Sequence, residues 1–198
     1  MPDPITRSSM ALPPVILHGP RVTLRPWRLP EDLDPLFVIN GDPAAMRHFL
    51  NAHDRAESDE WGRRIAADCA ANGHGFWVVE LRGEGMVGVT GIKAAPFDAD
   101  FTPAIEIGWR IATRFQRRGI AEEAARLSLA YGFGPAGLDR IVAWTPPANE
   151  PSWRLMEKLG MRRVKTFDHP RVPEGHSLRP HLLYEITRAE WVADRIGG

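Results

Sequence analysis

The chain has 198 residues, 43% of them hydrophobic. At that length one domain is the default and a sizeable core can form. Its 25 basic residues balance 25 acidic ones, so no net charge draws it toward nucleic acid, and no apolar run approaches the roughly 20 residues that a transmembrane helix needs. The single cysteine, Cys69, excludes an internal disulfide; beside Ala66, Ala67 and Ala70 it reads as a small buried hydrophobe.

In chain order, Met1 to Pro14 lacks the apolar segment of a signal peptide. It reads as a loose arm before one domain over residues 15–198, and the cytoplasm is the expected compartment. Arg21 to Trp27 alternates and is rich in β-formers, a first strand. Pro30 to Asp32 opens a helix through Leu33, Leu36, Phe37 and Ile39, which the cluster Asn40-Gly41-Asp42-Pro43 breaks. Ala44 to Leu50 predicts another helical turn. Ser58 to Trp61 carries a capping-box pattern, predicting a helix from there to about Ala71, stopped by Asn72 to Gly75. Phe76 to Leu81 and Met86 to Lys93 form a hairpin about the turn Arg82 to Gly85. A polar loop, Ala94 to Pro103, leads to a strand from Ala104 to Ile111. A helix from Ile120 to Phe133, a strand from Arg140 to Thr145 and a helix from Asn149 to Leu159 follow, with Gly160 as a left-handed cap. Strands over Met161 to Phe167 and His181 to Ile186 and a short helix carrying Trp191 complete the chain. Hairpins and β-α-β units are mixed, which predicts a single α/β (α+β) domain built on one twisted mixed sheet with helices on its faces.

The segment Gln116 to Ala121 joins a strand to a helix. Gly119 lets the backbone approach a ligand, and the first amides of a helix lack intrahelical acceptors at the positive end of its dipole. Arg117 and Arg118 add charge. This is a site suited to a pyrophosphate; the plain alternative is an ordinary strand-to-helix turn with solvated arginines. Neither a Walker loop nor a dinucleotide-binding glycine fingerprint is present. The helix behind carries Ala121, Ala124, Ala125 and Ser128 on a close-packing face completed by Leu127 and Tyr131, with Glu122 and Arg126 as an exposed pair.

Gln116-x-x-Gly119-x-Ala121 resembles the pyrophosphate loop of the GNAT N-acetyltransferases. Asn149-x-x-Ser152, followed by Glu157-Lys-Leu-Gly160-Met161, is similar to a second segment of that family. Gly19 to Arg25 and Glu106-Ile-Gly-Trp109 resemble the Rim-type subgroup, which acetylates ribosomal-protein N-termini. The resemblance spans roughly residues 18 to 190. It implies a sheet splayed between the strand ending at Ile111 and the strand ending at Thr145, with acetyl-coenzyme A (acetyl-CoA) in the gap. It further implies that Trp109, Ile111 and Ala112 pair with the pantetheine arm, that Gln116 belongs to the loop, and that the amides of Arg117, Arg118, Gly119, Ile120, Ala121 and Glu122 hold the pyrophosphate. Asn149 should touch the pantetheine arm and, as an Asn, cap its helix.

Direct transfer to a primary amine, of a peptide or protein N-terminus or of a small molecule, needs a base, an oxyanion donor and an acid for the leaving thiolate. The resemblance places the oxyanion donor among the backbone N–H groups near Trp109 to Ile111. Glu106 is the candidate base, through water; alternation sets it on one strand face with Gly108 and Arg110, and an ion pair with Arg110 is its structural alternative. Ser152 is the candidate acid, because Met156 stands where many relatives carry a Tyr; local capping is its alternative. Asp168 and His169 are candidate acceptor-site residues, with His169 a second candidate base. The dispersed histidines give no metal-ligand spacing. Met156 also leaves open a regulatory domain that binds acyl-CoA without chemistry. A nucleic-acid module on Arg117, Arg118, Arg162 and Arg163 lacks interleaved aromatics and is disfavoured, and homodimers are common in the family.

Overall fold

The computed structural model describes residues 14–196; the arm expected at Met1 to Pro14 falls, but for Pro14, outside the described residues. Eight strands form one sheet. In chain order the elements are β1 (Leu17–His18), β2 (Val22–Arg25), α1 (Leu33–Asn40), α2 (Pro43–Met46), α3 (Arg55–Asn72), β3 (Phe76–Leu81), β4 (Gly85–Ala94), β5 (Ile105–Ile111), α4 (Ile120–Phe133), β6 (Arg140–Thr145), α5 (Glu150–Lys158), β7 (Arg162–Asp168), β8 (Pro180–Thr187) and α6 (Arg188–Ile196). The sheet order is β1-β2-β3-β4-β5-β6-β8-β7. Every neighbouring pair is antiparallel except β5 and β6.

That parallel pair is where the sheet opens. β4 and β5 stay in register from Gly88↔Ile111 to Ala94↔Ile105, whereas β5 and β6 share the single register pair Glu106↔Val142. Beyond it the facing backbone groups of β5 have no strand partner, an arrangement that buried N–H and C=O groups tolerate only where water or a ligand completes them.

Helix α4 packs on one face. Ala124, Ala125, Ser128 and Leu129 are fully buried, and a Cβ added at Gly132 would stand 2.7 Å from Ile141 Cδ1, so the small stripe brings helix backbone close to the sheet. Its apolar arc is wider than the sequence suggested: Leu129 and Phe133 go deeper than Leu127 and Tyr131, which are half-buried at its edge. Burying each such aliphatic or aromatic side chain is worth about 1.5–3 kcal/mol. Helices α1 and α3 cover the opposite face. Their entry is fixed by Arg25, which donates to both Asp32 carboxylate oxygens at 2.8 Å and to Glu80 at 2.5 Å.

The cap of α3 differs from expectation. Helix α3 starts at Arg55, because Asp54 and Glu57 form the reciprocal capping box; Ser58 lies inside the helix, fully buried, and accepts from Asn40 Nδ2 at 3.1 Å. Gly73 and Gly160 do adopt left-handed conformations after their helices. Cys69 is buried, donates to the Phe76 carbonyl at 3.2 Å, and its thiol is pushed up to about 12 by burial.

Candidate active site

The turn before α4 is an array of unbonded donors. A 3-10 turn at Thr113–Phe115 ends β5; Arg117 and Gly119 then take positive φ values of 59° and 74°. The first helical bond runs from Glu123 N–H to the Gly119 carbonyl at 3.1 Å. The N–H groups of Arg117 through Glu122 therefore have no acceptor among the described residues, and six consecutive free amides at a helix start favour an anion of phosphate type.

A brace that sequence reasoning missed holds this turn. The carboxylate of Glu123 accepts from the Arg21 amide at 2.6 Å, the Val22 amide at 3.0 Å and Arg21 Nε at 2.7 Å, while Arg21 Nη1 donates to the Arg118 carbonyl at 2.9 Å. Burial alone would raise the Glu123 carboxyl; the bonds from Arg21 and Val22 outweigh it and hold it below the usual carboxylate range. Gln116 ties the turn to the strand by donating to the Ile111 carbonyl at 2.9 Å. Because hydrogen bonds to a charged group contribute about 1.5–3 kcal/mol, Glu123→Ala is expected to lower affinity for a diphosphate-bearing ligand at this turn about tenfold and to lower the Tm. Calorimetric titration beside a thermal melt checks both.

From this turn a cavity of about 1200 Å³ passes between β5 and β6 to the opposite face of the sheet. Trp109, Ile111, Gln116, Arg117, Gly119 and Ile120 line it, as do Ala121 and Glu122. Asn149 and Ser152 stand on the β6–α5 side, and Glu106 and His169 on the far side. Three expected residues are not brought to its wall. Ala112 is buried and its amide donates to the Val87 carbonyl at 2.9 Å, which narrows the available strand edge to Trp109–Ile111. The Arg118 side chain turns over the Phe115 ring, so that only its amide belongs to the array. Asp168 is exposed and accepts from Arg179 Nε at 3.2 Å.

Asn149 occupies the N-cap position of α5, yet its side chain does not cap. Its Nδ2 donates to Thr145 Oγ1 at 2.9 Å, while its carbonyl accepts from the Ser152 and Trp153 amides. The Ser152 hydroxyl has no hydrogen-bond partner among the described residues and does no local capping. Met156 is 2% exposed, a core residue that forms part of the cavity floor.

Glu106 pairs with Lys93 Nζ at 3.0 Å, correcting the expected alternative with Arg110. Its carboxyl is raised above the ordinary range by burial, with the cations Lys93 and Arg171 only partly offsetting that. His169 sits within an aromatic cluster, 4.7 Å from Phe97 and 4.8 Å from His181 between ring centroids. Burial, then the neighbouring His181 and Arg171, lower it to about 4, so it is neutral at pH 7. The unfolded chain protonates this imidazole below about 6.5 while the folded one resists until about 4; stability from this group is therefore lost as pH falls through that window. His169→Phe is expected to gain stability relative to wild type as pH falls from 7.5 to 5, by less than the full linkage value because the ring is only half-buried, and to be near parity at pH 7.5. Urea melts at the two pH values check this.

Residues 21–162 match the family model described as an acetyltransferase (GNAT) domain. The chain belongs to the GNAT acetyltransferase family. Among its relatives, the uncharacterised N-acetyltransferase YnaD of Bacillus subtilis (strain 168) is 42% identical over 86 residues, 43% of this chain and half of that relative's length. An FsC-acetyl coenzyme A-N(2)-transacetylase of Aspergillus fumigatus is 31% identical over 191 residues, covering 89% of this chain and 77% of the fungal one. A GNAT-family acetyltransferase from Bacillus anthracis superposes with a TM-score of 0.73 at 26% identity, over 88% of this chain and 99% of that one. In this GNAT chain no helix among the described residues is long and apolar enough to cross a membrane, and no cluster of three or more metal-ligating side chains occurs among them.

Proposed function

We propose that the chain is an N-acetyltransferase that moves the acetyl group of acetyl-CoA directly onto a primary amine held in the same cavity. The observation that carries this reading is the continuity between six unbonded amides at the start of α4 and a half-buried carboxylate, Glu106, through the gap between β5 and β6. The array is suited to the pyrophosphate, and the open edge of Trp109–Ile111, where the Ile111 carbonyl already accepts from Gln116, to the amide groups of the pantetheine arm.

The chemistry divides among few groups. Glu106 takes the ammonium proton through water, leaving a neutral amine. The amine nitrogen attacks the thioester carbonyl; a C–N bond forms, the C–S bond breaks, and a backbone N–H near Trp109–Ile111 stabilises the transient oxyanion. The second proton on nitrogen, lost as the amide forms, reaches the departing thiolate through Ser152, whose hydroxyl has no protein partner among the described residues, or through a water that it holds, so Ser152 ends as it began. His169, neutral and packed edge-on against Phe97, shapes the acceptor side.

Initial-velocity kinetics test the order of events. Intersecting double-reciprocal lines, with no acetylated enzyme in intact mass spectra before acceptor is added, are expected. Parallel lines with a stable acetyl-enzyme would refute direct transfer.

A further inference from the structure

The far wall of the cavity contains a cation without a counter-charge. Arg110 follows Glu106 and Gly108 on the same strand face, turned toward α1 and α3. Its Nη1 donates to Asn40 Oδ1, and its guanidinium lies 4.4 Å from the Phe49 ring and 5.0 Å from the Trp61 ring. Nε is buried with no hydrogen-bond partner, and no carboxylate among the described residues comes within ion-pair distance. Burial lowers the group to about 10, which still leaves it charged at neutral pH.

The surroundings maintain this state. Asn40 is fully buried; it donates to Ser58 and its carbonyl accepts the His53 amide at 2.9 Å, so one residue fixes both Arg110 and the loop carrying His53. His53 Nδ1 is likewise buried without a partner, and burial followed by the charge of Arg110 lowers that ring's affinity for a proton. Arg47 and Arg64 stand on the same wall. Of the two acids of α3 on this wall, Glu57 is committed to the Asp54 amide, and Asp68 forms no ion pair among the described residues and does not reach Arg110 within ion-pair distance.

A cation whose Nε is buried without a partner and whose charge has no anion is costly to hold, and a guanidinium between two aromatic faces presents its remaining N–H donors in a plane that matches a carboxylate. We propose that this wall binds the carboxylate of an acceptor carrying both a primary amine and a carboxylate, with Arg110 as its counter-charge. The inference rests on the cavity being the acetyl-transfer site. Glu106 and Arg110 are four residues apart on one strand face, about 13 Å between Cα atoms, and both side chains lean into the same space. That span suits an amino acid or a short peptide acid, and a polyamine would meet repulsion there.

The test compares L-amino acids and dipeptides as free acids and as their C-terminal amides, with spermidine as the cationic control. Wild type is expected to prefer the acid of a matched pair at least tenfold in kcat/KM, mainly through KM. Arg110→Gln is expected to abolish that preference and Arg110→Lys to retain part of it, each variant being checked for acetyl-CoA affinity and thermal stability. The wild-type comparison stands even where a variant fails to fold. Equal use of acid and amide, a preference that survives Arg110→Gln, or tight acetyl-CoA binding with neither turnover of nor competition by the acids overturns the proposal. Failure of wild type to bind acetyl-CoA would instead overturn the acetyltransferase reading on which it rests.

Discussion

Gly119→Asp is expected to weaken acetyl-CoA binding at least 100-fold, about 2.7 kcal/mol, while the protein stays folded. Three effects act in the same direction. A carboxylate would stand beside the amides that are to receive a diphosphate, opposing it by charge. The added Cβ would stand 3.2 Å from Arg21 Nη2, in the brace that shapes the turn. The backbone there has φ 74°, a conformation that glycine adopts freely and that costs other residues about 1 kcal/mol. Gly119→Asn separates the terms: it has nearly the same shape, tolerates positive φ, and carries no charge. It is expected to lose about tenfold, so the further loss in Gly119→Asp measures electrostatics alone. Calorimetric titration with acetyl-CoA and circular dichroism of both variants provide the comparison; unchanged affinity in a folded Gly119→Asp protein would remove the anion site from this turn.

Glu106→Gln is expected to lower kcat about 100-fold, the lower range for losing a general base, with acetyl-CoA affinity nearly unchanged. The amide keeps the size of the side chain and an oxygen that can still accept from Lys93. The pH dependence is the sharper test. A base works only when deprotonated, so wild-type kcat/KM falls as pH drops through the carboxyl's titration, which burial displaces above the ordinary carboxylate range. That acid limb should vanish in Glu106→Gln. Were His169 the base, the limb would lie near pH 4 and survive the substitution. A Glu106→Gln enzyme with wild-type turnover across the range leaves Glu106 as a structural partner of Lys93.

The order of elements was legible because each signal is local. The α4 segment, the hairpin of β3 and β4, and the strand before α5 follow from periodicity and turn residues within a few positions of one another. The turn from Gln116 to Ala121 was legible for the same reason: its glycine, its helix and its arginines are neighbours in sequence. The residues that complete the site were not. Glu123 meets Arg21 across 102 positions and Arg110 meets Asn40 across 70, and no window on the chain contains either pair. Alternation did place Glu106 and Arg110 on one face, and two charges on one face of a central strand were the available sign that this face lines a cavity. It could not show that Lys93, from the neighbouring strand, would take the carboxylate and leave the guanidinium unpaired. The start of α3 was missed because two acids at Asp54 and Glu57 cap it, while Ser58, placed like a cap in sequence, is buried against Asn40. Asn149 shows the reverse case: its position at the head of α5 follows from sequence, but its side chain turns to Thr145.

The measurement that bears most directly on the central claim is release of free coenzyme A from acetyl-CoA, with the product confirmed by mass, across three acceptor classes: peptides with free Ser or Ala N-termini, N-blocked peptides with Lys side chains, and small amines that include amino acids. The account predicts turnover with one class at least, each thiol released matched by one acceptor heavier by a single acetyl group. Tight acetyl-CoA binding with no acetylated product in any class would contradict it and leave a domain that holds acyl-CoA without chemistry.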